Sequence, residues 1–146
     1  MLVIVGLAMM IAMPAFSHYK DTLARRQARQ QLIEDIRLAR QLSVTQHTQV
    51  VLAFGNGVGV NDVSTYTIHA DNNGDGVRQA GEAFWNRKMP KSTILNNVAL
   101  SPTDSLIFDI SGILRPGTTG GQLAFKTSRN LRDTLCVSAV GMVYRP

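Results

Sequence analysis

The densest group of possible ligands in the chain is Asp71-Asn72-Asn73-Gly74-Asp75-Gly76, followed by Glu82. It fits the calcium-loop pattern D-x-[DN]-x-[DN]-G-x5-E position for position. Asp71, Asn73 and Asp75 would supply side-chain oxygens, Val77 its carbonyl and Glu82 a bidentate carboxylate, and calcium takes about six to eight such oxygens. The same residues also make an ordinary turn between strands, and no helical pattern flanks them. Calcium is therefore a candidate ligand here, and no other cofactor is called for.

Two basic groups are the other candidates. Lys20, Arg25, Arg26 and Arg29 lie close together, and Lys126, Arg129, Arg132 and Arg145 gather near the C-terminus. Either could meet anionic lipid headgroups or nucleic-acid phosphates, and either could be a plain solvated face. Catalytic chemistry is not indicated. His18, His47 and His69 are scattered without metal-ligand spacing, and the presence of Ser, His and Asp does not make a triad. The single cysteine, Cys136, stands in an apolar strand pattern and reads as core, as do Phe84 and Trp85.

The elements that must position these groups can be read from composition and period. The chain has 146 residues, 45% hydrophobic and 17% charged, with a net charge of +5. That is a single small domain's worth of residues, too apolar for a disordered chain and without the cysteines of a disulfide framework. The charge is unevenly placed. From Met1 to Tyr19 there is no Asp, Glu, Lys or Arg. A membrane-crossing helix needs about 17–25 apolar residues, so this stretch is expected to be a transmembrane segment. Pro14 should kink it.

From Tyr19 to Gln46 neither Gly nor Pro occurs, and Ala24, Ala28, Leu32, Ile36, Ala39 and Ser43 recur at helical spacing. One long helix is expected, its first half apolar and its second half amphipathic. After Gln49 the period changes to that of strands, at 50–54, 65–69, 83–87, 93–95, 105–109, 122–126 and 134–139, punctuated by Gly and Pro. With no helix between them, an antiparallel sheet is expected. The fold class is α+β, divided as 1–19 for the membrane half of the helix, 20–47 for its amphipathic half and 48–146 for a β-rich domain.

An apolar leading run closed by Pro, then one long helix, then an all-β domain, resembles the layout of type IV pilin-like proteins. LVIVGLAMMIAMPAFSHY resembles the end of the pilin signature. LIEDIRLARQLSVTQHTQVVL is similar to the helix-to-first-strand segment of the GspH/FimT group, and LCVSAVGMVYRP to its closing strand-Gly-strand element. The resemblance implies a minor pseudopilin, a structural component of a type II secretion pseudopilus or a type IV pilus, and not an enzyme. It implies other pilins or pseudopilins as partners through the N-terminal helix, together with inner-membrane lipid. The family's leader, its processing site and the Glu that follows would precede Met1. A longer precursor, cut and methylated by a prepilin peptidase, is therefore implied. Lys and Arg counted in this chain alone would hold the domain in the cytoplasm. The resemblance implies instead a single pass in the inner membrane with a periplasmic domain. FimT-like minor pilins include DNA receptors for natural transformation, so DNA binding in DNA uptake is the alternative function.

Overall fold

The computed structural model describes residues 2–55, 63–101 and 104–146, with side chains described from Phe16 onward except at Ser101. The first element is a 45-residue helix, α1 (Leu2–Gln46). Its length follows from the absence of helix breakers after Pro14, and its docking from one stripe: Ala28, Leu32, Ile36, Ala39 and Ser43 are all buried. It ends where His47 takes a left-handed φ of 50°, which turns the chain out of the helix and into the first strand.

Two four-stranded antiparallel sheets follow, where a single sheet was expected. The first contains β1 (Gln49–Ala53), β2 (Thr65–Asp71), β3 (Phe84–Lys88) and β5 (Ser105–Phe108), in the order β3-β2-β1-β5. The second contains β4 (Thr93–Ser101), β6 (Gly120–Thr127), β7 (Arg132–Val137) and β8 (Val143–Tyr144), in the order β4-β6-β7-β8. Val50 pairs with Ala70 and Phe108, and Leu52 with Ile68 and Leu106, so one face of the first sheet is apolar. That face, Leu123, Phe125 and Leu135 of the second sheet, and the stripe of α1 close one core. This is an α+β fold with its helix packed on antiparallel sheet.

β4 is nine residues long, not the three expected at 93–95. The register shifts between Leu95 and Asn97, and beyond that bulge Val98 and Leu100 return to the core.

One expectation is overturned. Among the described residues no helix is long and apolar enough to cross a membrane. The transmembrane first half of α1, and the single-pass inner-membrane placement with a periplasmic domain that depended on it, are therefore corrected. The cause is polarity: from Phe16 onward Ser17, His18, Lys20, Asp21, Arg25 and Arg26 break every run approaching the ~20 apolar residues a span requires. The side chains of Met1–Ala15, and with them the apolar leading run and the kink expected at Pro14, lie outside the described residues.

Candidate functional site: the helix clamp and the 71–82 loop

Three buried or nearly buried carboxylates tie α1 to the sheets. Asp21 meets Arg129 Nε at 3.3 Å and accepts from Ser128 Oγ at 3.4 Å, just beyond the end of β6. Two turns along, Arg29 reaches Asp133 of β7 at 3.5 Å, and Arg145 approaches the same carboxylate at 3.9 Å. Asp35 accepts from the Tyr66 hydroxyl of β2 at 2.5 Å and sits 3.3 Å from Arg87 Nε of β3. Arg87 Nε has no well-angled hydrogen bond, so its attraction for Asp35 is chiefly coulombic. Gln31 completes this point by donating to both the Tyr66 hydroxyl at 3.0 Å and the Lys88 carbonyl at 2.9 Å.

A carboxylate taken out of water is stable only when paired and hydrogen-bonded, so each of these contacts fixes where the helix can lie. Burial, followed by the bond to Asp35 and its negative charge, holds the Tyr66 hydroxyl far above its ordinary pKa, and the phenol stays a donor. The arrangement positions a rod on a domain.

The 71–82 loop leaves β2 and returns to β3 without flanking helices. Asp71 is buried, and its two carboxylate oxygens accept from the amides of Gly74 and Gly76, both at 2.7 Å. Asp75 accepts from the Val77 amide at 2.7 Å and from Gln79 Nε2 at 2.7 Å. Its carboxyl lies below the usual range, first because of the Val77 amide and then because of Asn73. Glu82 accepts from the amides of Asn72 at 3.0 Å and Gln79 at 2.8 Å. Asn73 accepts from the Asp75 amide at 3.3 Å, and the Val77 side chain faces solvent.

The calcium set is thus brought into one loop, but its oxygens close on the loop's own amides. Among the described residues no group of three or more His, Cys, Asp or Glu side chains is placed to hold a metal ion. The carboxylates of Asp71, Asp75 and Glu82 are each taken up by amide donors of the loop.

Beneath this loop lies a residue that alternation alone did not single out. His69 of β2 is 2% exposed, and neither ring nitrogen has a hydrogen-bond partner. Burial lowers its pKa from the ordinary 6.5, opposed first by the charge of Glu82 and then by that of Asp71. It borders a cavity of about 550 Å³ shared with Thr67, Asp75, Arg78, Asp104 and Ser105. The only sequence signal was a histidine inside an apolar alternation, which does not distinguish a filler of space from a ligand. Arg78 lies 3.5 Å over the ring of Phe84, which is 42% exposed and not in the core. Cys136 is a buried free thiol.

The two expected basic groups are not separate patches. Arg29 from one and Arg145 from the other converge on Asp133, and Arg129 is held by Asp21. Lys20 sits 4.6 Å over the Phe16 ring, and Arg132 donates to Asn130 at 3.3 Å. Lys126 is half-buried on β6, Arg25 is half-buried on α1 and Arg26 is exposed. Carboxylates of the same chain therefore hold three of these eight cations, Arg29, Arg129 and Arg145.

Comparison with known proteins agrees with a structural part. No curated protein and no solved structure matches the chain significantly. The family model described as Type II transport protein GspH matches residues 28–141. The matched stretch opens at Ala28, the start of the buried stripe, and closes at Gly141, the turn before β8. Pseudopilins of this family are structural and non-catalytic. The chain belongs to the GspH family, and is a pseudopilin, a structural component of a type II secretion or pilus system.

Proposed function

We propose that the chain joins its assembly through α1, with other pilin-like subunits as partners, and that it does so as a low-copy member. The observation that carries this is the rigid coupling of helix to domain. A continuous helix from Leu2 to Gln46 is clamped at Asp21, Arg29 and Asp35, so force on the rod passes directly to the β-rich domain. Such a clamp suits a subunit that must keep one orientation while its neighbours press on it. A receptor would need an open binding face instead.

The DNA-uptake alternative draws less support, because Arg29, Arg129 and Arg145 are held by carboxylates of the same chain. Direct phosphate contact would have to displace those pairs. The test is to shear filaments from cells making the tagged chain and to quantify it against the major subunit by mass spectrometry. Recovery well below one copy per major subunit is expected. Absence from the filament fraction, or equal stoichiometry, would overturn the proposal.

A further inference from the structure

The 71–82 loop places Asn73-Gly74 directly before Asp75-Gly76. An asparagine followed by glycine is prone to cyclise, because the glycine amide carries no side chain to hinder its approach to the asparagine carbonyl. The nitrogen of Gly74 would bond to Cγ of Asn73, the Cγ–Nδ2 bond would break, and ammonia would leave with the amide proton. Solvent water then opens the cyclic imide and leaves aspartate or isoaspartate at position 73. The reaction needs a glycine nitrogen that can shed its proton and turn toward the preceding side chain.

The closed loop withholds both conditions. Gly74 N donates to Oδ1 of Asp71 and Gly76 N to Oδ2, both at 2.7 Å, so one buried carboxylate holds both nitrogens. Taking a proton from either amide would set anion against anion and forfeit a charge-assisted bond. The side chain under attack is engaged as well. Asn73 Oδ1 accepts from the Asp75 amide at 3.3 Å, and Nδ2 donates to Asp75 Oδ2 at 2.9 Å. Arg115 Nη1 donates to the Gly74 carbonyl at 3.2 Å and fixes that residue from its other side. Asn73 and Asp75 are themselves exposed, so water has access to any imide that forms.

We infer that Asn73 is a latent deamidation site, and that the carboxylate of Asp71 is the guard that keeps it intact. Local opening of the loop releases both glycine amides, and such openings cost far less than unfolding the whole domain. Asn73 then converts. Asp75 lags behind it, since a carboxylate gives up an oxygen far less readily than an amide gives up ammonia. The product does not close again on the same contacts. An oxygen replaces the Nδ2 that donated to Asp75, so two carboxylates meet where a hydrogen bond of 2.9 Å stood. The isoaspartate form also adds a methylene to the main chain, which shifts Gly74 N away from Asp71. The loop over the buried His69 thus keeps a covalent record of the time a molecule has spent open.

The test follows the full chain at neutral pH over days, beside a synthetic peptide of residues 70–78. Peptide mapping, with fragmentation that separates Asn73 from Asn56, reads the amide-to-acid conversion and the isoaspartate fraction. The peptide should convert at Asn73 about tenfold or more faster than the chain, the factor that one hydrogen bond to a charged group supplies. Asp71→Asn keeps the shape of the guard and removes its charge. It should bring the chain's rate toward the peptide's, under conditions where its melting curve shows a folded protein. Tyr66→Phe loosens the helix clamp instead of the loop and reports conversion through global unfolding. A chain that converts as fast as the peptide overturns the inference, and so does equal acceleration by Tyr66→Phe. An Asp71→Asn rate equal to wild type overturns it too, and a slower rate would make Asp71 a base and not a guard. Asn73→Asp mimics the product and should speed amide exchange at Gly74 and Gly76. Unchanged exchange there overturns the one-way step.

Discussion

The hydroxyl of Tyr66, on the second strand of the first sheet, donates to the buried carboxylate of Asp35 on the helix at 2.5 Å. This bond joins the two layers of the fold at the centre of their contact. It also explains why a tyrosine occupies a core strand position: its ring packs at 5.6 Å from the ring of Phe54 while its oxygen reaches the helix. Tyr66→Phe keeps the ring and removes the donor, leaving the Asp35 charge with Arg87 alone. A loss of about 1.5–3 kcal/mol is expected, the range for a hydrogen bond to a charged group. A urea midpoint unchanged from wild type would show that the bond does not clamp the helix.

The same pair predicts an alkaline dependence. Burial and Asp35 raise the Tyr66 pKa above the ordinary 10.0, so above that pH the unfolded chain releases the proton while the folded chain keeps it. The contribution is complete below pH 10.0 and declines as pH rises beyond it. Stability measured between neutral pH and about pH 11 should fall more steeply for wild type than for Tyr66→Phe. Parallel curves would refute the assignment.

His69 predicts the opposite limb. Its pKa is lowered by burial, so below the ordinary 6.5 the unfolded chain takes up a proton that the folded chain refuses. Its neutral form is accommodated fully above 6.5, and stability falls as pH drops through the window below that value. The charges that face it, Asp71, Asp75, Arg78 and Glu82, are unchanged by His69→Leu. That substitution should flatten the acid limb and leave the variant more stable than wild type near pH 5. An acid limb of unchanged slope would assign the effect to another group.

Much of this architecture is legible in the sequence. The helix from Tyr19 to Gln46 followed from missing breakers and a stripe at 28, 32, 36 and 39, because local propensity and burial agree there. The strands with clear alternation followed likewise. Strand order did not, since the neighbours of the first strand are chosen by which apolar faces close the core. The last strand has two residues, too few to carry a period. The clamp was hidden for a related reason. Asp21 and Arg129, or Asp35 and Arg87, are far apart in the chain, and nothing local marks them as partners. The 71–82 motif was visible, but the same Asp-x-Asn-x-Asp-Gly spelling serves a metal or a set of amides, and only geometry separates the two.

That distinction gives a further prediction for Asp71. Its carboxylate holds the Gly74 and Gly76 amides, so Asp71→Ala leaves two donors without their partner and opens the loop over His69. A loss of roughly 2–3 kcal/mol is expected, the range for charge-assisted hydrogen bonds. The loss should be the same in calcium and in chelator. A rise in melting temperature with calcium, abolished by Asp71→Ala, would instead make the loop a metal site.

Gly121 and Gly117 provide a contrast that isolates backbone contact from backbone strain. Both have positive φ, 151° at Gly121 and 96° at Gly117. A Cβ at Gly117 would meet nothing within 4 Å, so Gly117→Ala pays only for its conformation, about 1–2 kcal/mol. At Gly121 the same atom would stand 2.0 Å from the Ala99 carbonyl oxygen, between two strands that are hydrogen-bonded to each other. Backbone cannot move aside there as a flexible side chain would, so the fourth and sixth strands must separate locally. Gly121→Ala is expected to cost more than about 3 kcal/mol and to speed amide exchange along Val98–Leu100. Equal melting temperatures for the two variants would mean that this pairing tolerates a shift, and that the second sheet is looser than its register implies.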